Sequence, residues 1–428
     1  MSAAPSPETD TELTPLTRPA DGLSEVVETP AALEQVVAAF ADATGPVAVD
    51  AERASGFRYG QHAYLVQLRR SGAGTALVDP QALPDLHALN QALEGSEWIL
   101  HSADQDLPCL AELGLHPDRL FDTELAARLL GYERVGLAAM VAEELGLSLA
   151  KEHSAADWST RPLPVDWLRY AALDVEVLIQ LRDHLHTELA EAGKLEWARQ
   201  EFEAVRTAAP PEPRRDPWRR TSGSHKVRDG LGLAILRELW YARDAEAQRR
   251  DLSPGRVLPD AAIIAAAVRQ PASQQDLAAM REFHARGAAR RSALWFGAVQ
   301  RARSLPPKEY PPRKPASSHV LPPPKAWRKR NPEGAERLPL VRTAVRECAE
   351  ELHLPQENLL TPAYQRQLAW NGSGSATPED VAATLRGFGA REWQIEIVAE
   401  PLSRTLRCGP SSSEASSADT PSAATPSA

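Results

Sequence analysis

Cysteine is scarce in this chain: Cys109, Cys348 and Cys408 are the only three among 428 residues. They are odd in number and far apart, which gives neither a disulfide framework nor a zinc site and fits a reducing cytoplasm. Long apolar runs are also missing. None approaches the roughly 18 residues of a membrane helix, so no membrane partner is expected. The N-terminus, Met-Ser-Ala-Ala-Pro-Ser-Pro-Glu-Thr-Asp, has no basic segment ahead of an apolar one and does not read as a secretory signal. A Gly-rich phosphate loop, a nucleophile elbow and a Cys/His metal cluster are absent too. Few lysines beside abundant Ala and Arg point to a GC-rich, bacterial genome.

What remains is a globular composition, 43% hydrophobic and 25% charged, at a length that calls for two to four domains. The formal net charge of −10 conceals an asymmetry: residues 206–330 hold 26 Lys/Arg against 11 Asp/Glu, a local +15 that leaves −25 elsewhere. That basic span fits a phosphate-contacting surface or a solvated linker region.

Pro- and Ser-rich composition predicts disordered tails over 1–25 and 406–428. Proline clusters predict linkers over 207–226 and 306–332, the second one basic. Between them lie a first domain, 26–206, and two helical ones, 227–305 and 333–405. In the first, Val47–Val49, Tyr64–Leu68, Thr75–Asp79, Trp98–Leu100 and Leu120–Phe121 read as strands. Helices are expected near 84–94, through Leu107, Leu110 and Leu113, and from Thr123 to about Glu203. This is an α/β pattern, a mixed sheet flanked by helices. The two helical domains resemble each other: an apolar-and-Arg helix, a short polar turn, a second helix, then one led by Pro271 or Pro378. A diverged duplication follows from that order.

Four acidic residues and one tyrosine carry the chemistry. Asp50 and Glu52 end the Val47–Val49 run; two apart on a strand, they share a face. Tyr170 and Asp174, four apart on a helix, project together. Asp106 stands near the start of its own helix, where the dipole favours a carboxylate. Carboxylates gathered this way would repel one another unless hard divalent cations, Mg²⁺ or Mn²⁺, sat between them. Two such cations about 3.5–4 Å apart can activate water and stabilise the leaving oxygen of a phosphodiester. In this reading Asp50 bridges the cations, Glu52 and Asp174 complete one, and Asp106 helps hold the other. Tyr170 orients the attacking water, since a phenol with pKa near 10 is a poor base at neutral pH.

Taken with their flanks, these motifs resemble those of the ribonuclease D family, DEDD exonucleases with a tyrosine in the third motif. The matching stretches are Val49-Asp-Ala-Glu52 with Tyr64-Leu-Val-Gln-Leu68, His101-Ser-Ala-Asp-Gln-Asp106-Leu107, and Tyr170-Ala-Ala-Leu-Asp174. Asp122-Thr123 and Asp157-Trp-Ser-Thr-Arg161-Pro-Leu163 match as well. The resemblance implies a ribonuclease-H-like fold, two divalent metals, and release of nucleoside monophosphates from RNA 3′ ends, as in trimming of tRNA and other structured precursors. Residues 227–305 resemble the small helical HRDC domain through Trp240, the Ser253-Pro254 turn and Pro271; residues 333–405 look like a more divergent copy. The helical domains are then expected to position RNA at the active site. Trp240, Lys325, Trp327 and Arg328 are the candidates for nucleic-acid contact, the last three as a basic cluster able to stack on a base. His101 reads as structural; His153, near Trp158, reads as an exposed loop residue ahead of a substrate contact. Single-stranded DNA, as in Werner-type exonucleases, and an inactive nucleic-acid-binding scaffold are the alternatives; the 2′-hydroxyl contacts that separate RNA from DNA are not legible here.

Overall fold

The computed structural model describes residues 13–149, 153, 155–210, 212–313, 321–372 and 375–407. Two compact units emerge, one of residues 1–127 and 132–319 and one of 128–131 and 320–428. The first holds the sheet. Strands β1 (Thr14–Leu16), β2 (Val26–Val27), β3 (Val47–Arg53), β4 (Ala63–Arg70), β5 (Gly74–Val78), β6 (Glu97–Leu100), β7 (Arg119–Asp122) and β8 (Leu147–Leu149) alternate with helices α1 (Pro30–Asp42), α2 (His87–Ala92), α3 (Leu107–Ala111), α4 (Thr123–Leu130), α5 (Leu137–Leu145), α6 (Val165–Glu176), α7 (Leu178–Glu191) and α8 (Leu195–Arg206). Six strands form a mixed sheet in the order β2-β5-β4-β3-β6-β7, with β4 antiparallel to both neighbours and the other pairs parallel. Strand β3 is central and almost wholly buried, as a strand covered on both faces must be.

The five expected strands are all present. Three short ones carried too little pattern to be read: β2 adds an edge to the sheet, and β1 pairs in parallel with β8. Residues 14–16 and Leu23 therefore leave the expected tail, Leu23 packing on the cluster beneath α6; residues 1–12 and 408–428 lie outside the described residues. The helix through Leu107 stops at Ala111, before Leu113, because Gly114 takes a left-handed φ of 76° and Leu115 N–H closes back on the Leu110 carbonyl.

The helical region of the same unit comprises α9 (Gly230–Arg250), α10 (Pro254–Val257), α11 (Asp260–Arg269), α12 (Gln274–Ala278), α13 (Arg286–Ala289) and α14 (Ser292–Ser304). Its core also takes in Trp218, 1% exposed, and packs Leu305 and Tyr310 against its side. The expected linker 207–226 is therefore folded from about Asp216: the Pro217–Arg220 turn buries the Trp218 indole, and the Arg219 guanidinium lies 4.2 Å from its ring.

The second unit contains α15 (Trp327–Arg330), α16 (Pro332–Glu351), α17 (Gln356–Leu359), α18 (Pro362–Asn371), α19 (Pro378–Phe388) and α20 (Glu392–Arg407). Its succession repeats that of the first helical region. A long helix of 21 or 20 residues comes first, followed by Asp251 or His353 with positive φ. A four-residue turn and a ten-residue helix come next. A capping box then starts the following helix, Ser273/Asp276 in one case and Thr377/Asp380 in the other. The expected linker 306–332 yields its end to this unit: Trp327 is buried and packs edge-on to Trp370, ring centres 4.9 Å apart. No described helix is long and apolar enough to cross a membrane.

Candidate active site

Parallel β3 and β6 end at the same edge of the sheet, and the site grows from there. Ala48 packs with Ile99, Val175 and Leu178, so its face of β3 is the one covered by α6 and α7. The strand period of two then turns Asp50 and Glu52 toward α6. Helix α6 buries Leu168, Ala171, Ala172 and Val175, and the same packing delivers Tyr170 and Asp174, one turn apart. Carboxylate oxygens of Asp50, Glu52 and Asp174 lie within 4.8 Å of one another. The Tyr170 phenol lies beside the Asp174 carboxylate, whose charge, after burial, helps raise its pKa.

Asp106 arrives from the chain leaving β6, at the junction between the Ala103–Gln105 turn and α3. It stands outside the 4.8 Å group and pairs with Arg53, Nη2 to Oδ1 3.2 Å. A register shift between Glu52 and Arg53, with Tyr64 as the extra residue on β4, ends the regular ladder where Arg53 reaches Asp106.

Electrostatics mark these groups as unfinished. Burial, then the charges of Asp50, Asp174 and Asp106, push Glu52 up to about 10. Burial and Asp50 push Asp106 up to about 8 against the opposing pull of Arg53. Asp50 and Asp174 are raised as well, chiefly by burial. Burial and then the neighbouring Asp174 hold the Tyr170 phenol above its ordinary range. An all-oxygen donor set whose members disfavour one another's ionisation fits a hard divalent cation.

The surrounding family stretches are structural. Asp122 accepts N–H groups from Ser102 (3.2 Å), Ala103 (2.8 Å), Glu124 (2.9 Å) and Leu125 (3.1 Å), which fixes the turn carrying Asp106 and caps α4. Ser102 there has a left-handed φ of 65°. His101 Nδ1 meets Thr123 Oγ1 at 2.8 Å, the structural place expected of it. Arg161 grips Asp79 with two hydrogen bonds and the Tyr64 carbonyl with a third, which holds Trp158, fully buried, behind Tyr170.

Sequence reasoning missed the walls. A cleft of about 390 Å³ beside Glu52 is lined by Arg53, Ser55, Phe57, Gln61 and Ala156. Another of about 300 Å³, beside Asp174, is lined by His153, Arg169 and Tyr170 among others. His153 thus borders the site, its ring edge-on to Tyr170 at 6.1 Å, where an exposed loop position was expected. The loop after β3 is tied to the helical region: Ser253 N–H donates to Phe57 O (2.9 Å), Arg256 to Gly56 O (2.8 Å), and Tyr59 N–H to Asp251 (3.2 Å). Nothing local in the sequence signals such contacts across roughly 190 residues.

Of the nucleic-acid candidates, Lys325 and Arg328 are exposed and Trp240 is half-buried against its helical core. Trp327 is corrected: fully buried, with its indole N–H donating to Pro322 O at 2.6 Å, it has no face for a base.

Residues 24–190 match the family model of a 3′–5′ exonuclease, 232–299 that of the HRDC domain, and 320–406 that of a 3′ to 5′ exonuclease C-terminal domain. Ribonuclease D of Shewanella sp. (strain ANA-3) is 36% identical over 211 residues, 48% of this chain and 54% of its own length. Ribonuclease D of Zymomonas mobilis is 33% identical over 277 residues, 62% of this chain and 70% of its own. The chain thus spans little more than half of the former relative and more than two thirds of the latter. A crystal structure of a protein from Bifidobacterium adolescentis superposes with a TM-score of 0.86 at 41% identity, covering 92% of this chain and all of that one.

Proposed function

The chain belongs to the ribonuclease D family, and from that premise we propose that it is a metal-dependent 3′–5′ exoribonuclease releasing nucleoside monophosphates from RNA 3′ ends. The observation that carries this is the convergence of Asp50, Glu52 and Asp174 within 4.8 Å, with Tyr170 beside Asp174. Asp50, Glu52, Asp106 and Asp174 would hold two divalent cations, Mg²⁺ or Mn²⁺. When bound, such ions supply an activated water and charge compensation at the leaving 3′-oxygen.

The residues do the rest. Asp174 orients the Tyr170 hydroxyl, which hydrogen-bonds the attacking water and aligns it with the scissile bond. Arg53, at the mouth of the larger cleft, can trade Asp106 for a non-bridging phosphate oxygen. The tie to Asp251, Ser253 and Arg256 braces the β3–β4 loop that lines that cleft. Lys325 and Arg328 add phosphate contacts that strengthen RNA binding without reading sequence. Single-stranded 3′ ends of structured precursors, tRNA among them, are the substrates in this reading. The cytoplasm is their place, in keeping with Cys109 and Cys348 as free thiols.

Matched single-stranded RNA and DNA oligonucleotides incubated with Mg²⁺, Mn²⁺ or EDTA test the proposal, with Asp50→Ala alongside. Metal-dependent laddering from the RNA 3′ end, lost in the variant, is expected. Preferential shortening of DNA would transfer the activity to that substrate. Binding without shortening of either would leave a scaffold.

A further inference from the structure

Gln67 is fully buried, 0% exposed, yet neither its amide nitrogen nor its amide oxygen has a hydrogen-bond partner. Buried side-chain amides are rarely left so, because the lost hydration is not recovered. It stands in the Tyr64–Leu68 stretch on β4, directly opposite Asp50 on β3 and Leu77 on β5. Directly opposed residues of antiparallel strands share a face and lie within about 5.5 Å at Cβ. That face is the one beneath α6: Leu65 and Leu77 belong to the cluster that packs with Leu168, Ala171 and Ala172. Gln67 therefore has Leu65 and Arg69 beside it along β4, the latter engaged by Asp21, Glu176 and Thr75, Leu77 across on β5, and one directly opposed polar group, the Asp50 carboxylate.

Resting on the function proposed above, we propose that Gln67 is a positioning residue of the metal centre. Its amide N–H donates to the Asp50 carboxylate when that group is ionised and holds a cation. The nearby Ala51 backbone N–H favours the charged form of Asp50; a side-chain donor would fix the plane of the carboxylate and hence the direction of its lone pairs. A leucine would fill the same volume and satisfy the apolar cluster better, so packing alone does not account for an amide. Groups that orient a metal ligand typically contribute 10–100-fold to metal affinity or activity.

The test uses the full chain with Gln67→Leu and, in case branching disturbs the sheet, Gln67→Met, which keeps the length and removes the donor. Mn²⁺ affinity is measured by calorimetry, and the thermal midpoint is measured without metal. Expected are an unchanged or raised metal-free midpoint and a Kd for Mn²⁺ weakened about 10–100-fold, with turnover partly recovered at high Mn²⁺. Wild-type Mn²⁺ affinity in either folded variant overturns the inference. Asp50→Ala separates this from the parent reading. Loss of Mn²⁺ binding in it while Gln67→Met binds normally sinks only the role of Gln67; normal binding in Asp50→Ala sinks the metal centre itself.

Discussion

The sheet and the helix packed on it carry two sets of enclosed carboxylates, and they are handled in opposite ways. Asp79 and Asp122, 3% and 2% exposed, meet donors at every turn. Arg161 clasps Asp79 at 2.6 and 2.8 Å, and four backbone amides converge on Asp122. Asp50, Glu52 and Asp174 instead face one another. All are carboxylates of one unit; the sign of the surroundings differs. Where the chain supplies the compensating charge or dipole, the carboxylate holds the fold. Where it supplies more negative charge, the compensation must come from outside: Glu52 is pushed up by burial and then by Asp50, Asp174 and Asp106, whereas Asp122, raised by burial to about 6, is pulled back by its backbone amides.

Substitution of each set in turn tests the contrast. The largest effect is expected from Asp174→Asn, which removes one charge and keeps the shape. RNA shortening should fall by about 10³-fold or more, a loss of several kcal/mol of transition-state stabilisation, while the metal-free protein melts no lower than wild type. Asp122→Ala should do the reverse. With four amides orphaned, stability should drop by about 3 kcal/mol, seen as a thermal midpoint lower by roughly 10 °C. A midpoint within 1–2 °C of wild type, near the scale of ~0.5 kcal/mol for a neutral surface change, would erase the distinction between the sets.

Tyr170→Phe leaves the carboxylates and the packing on Trp158 in place. Single-turnover rates should fall about 10–100-fold with KM little changed, the mark of a group acting in the transition state. A pH dependence of the metal-free fold is expected as well. Glu52 and Asp106 titrate near 10 and 8 when folded, above their ordinary 4.5 and 3.8. The folded state therefore binds more protons than the unfolded one across that interval, and stability must decline as pH rises from about 4 toward 10. Melting in EDTA at pH 6 and pH 9 should show the lower midpoint at pH 9. Glu52→Gln should flatten the difference, and Mn²⁺ should reverse it, since ions displace protons from the cluster.

The legible parts of the molecule were those with a local pattern. Val47–Val49 and Tyr64–Leu68 declared strands through apolar runs, and the spacing of Asp50 with Glu52 and of Tyr170 with Asp174 declared shared faces. Strands β1 and β8, three residues each, had no period to show. Trp218 and Trp327 sat among prolines that read as linker, because burial of a lone indole depends on a core assembled elsewhere. Trp327 was misassigned for the same reason: basic neighbours suggested a stacking face, and Trp370 had already taken it.

The sequence by itself determined which atoms could do the chemistry, since oxygen donors at periods of two and four follow from strand and helix geometry alone. Only the tertiary structure decided what each donor meets. Asp50 and Asp174 are 124 positions apart, and no local rule tells whether such carboxylates will face a guanidinium, a row of amides or one another. That is set by strand order and by the packing of α6 on β3, and it is what separates Asp174 from Asp122.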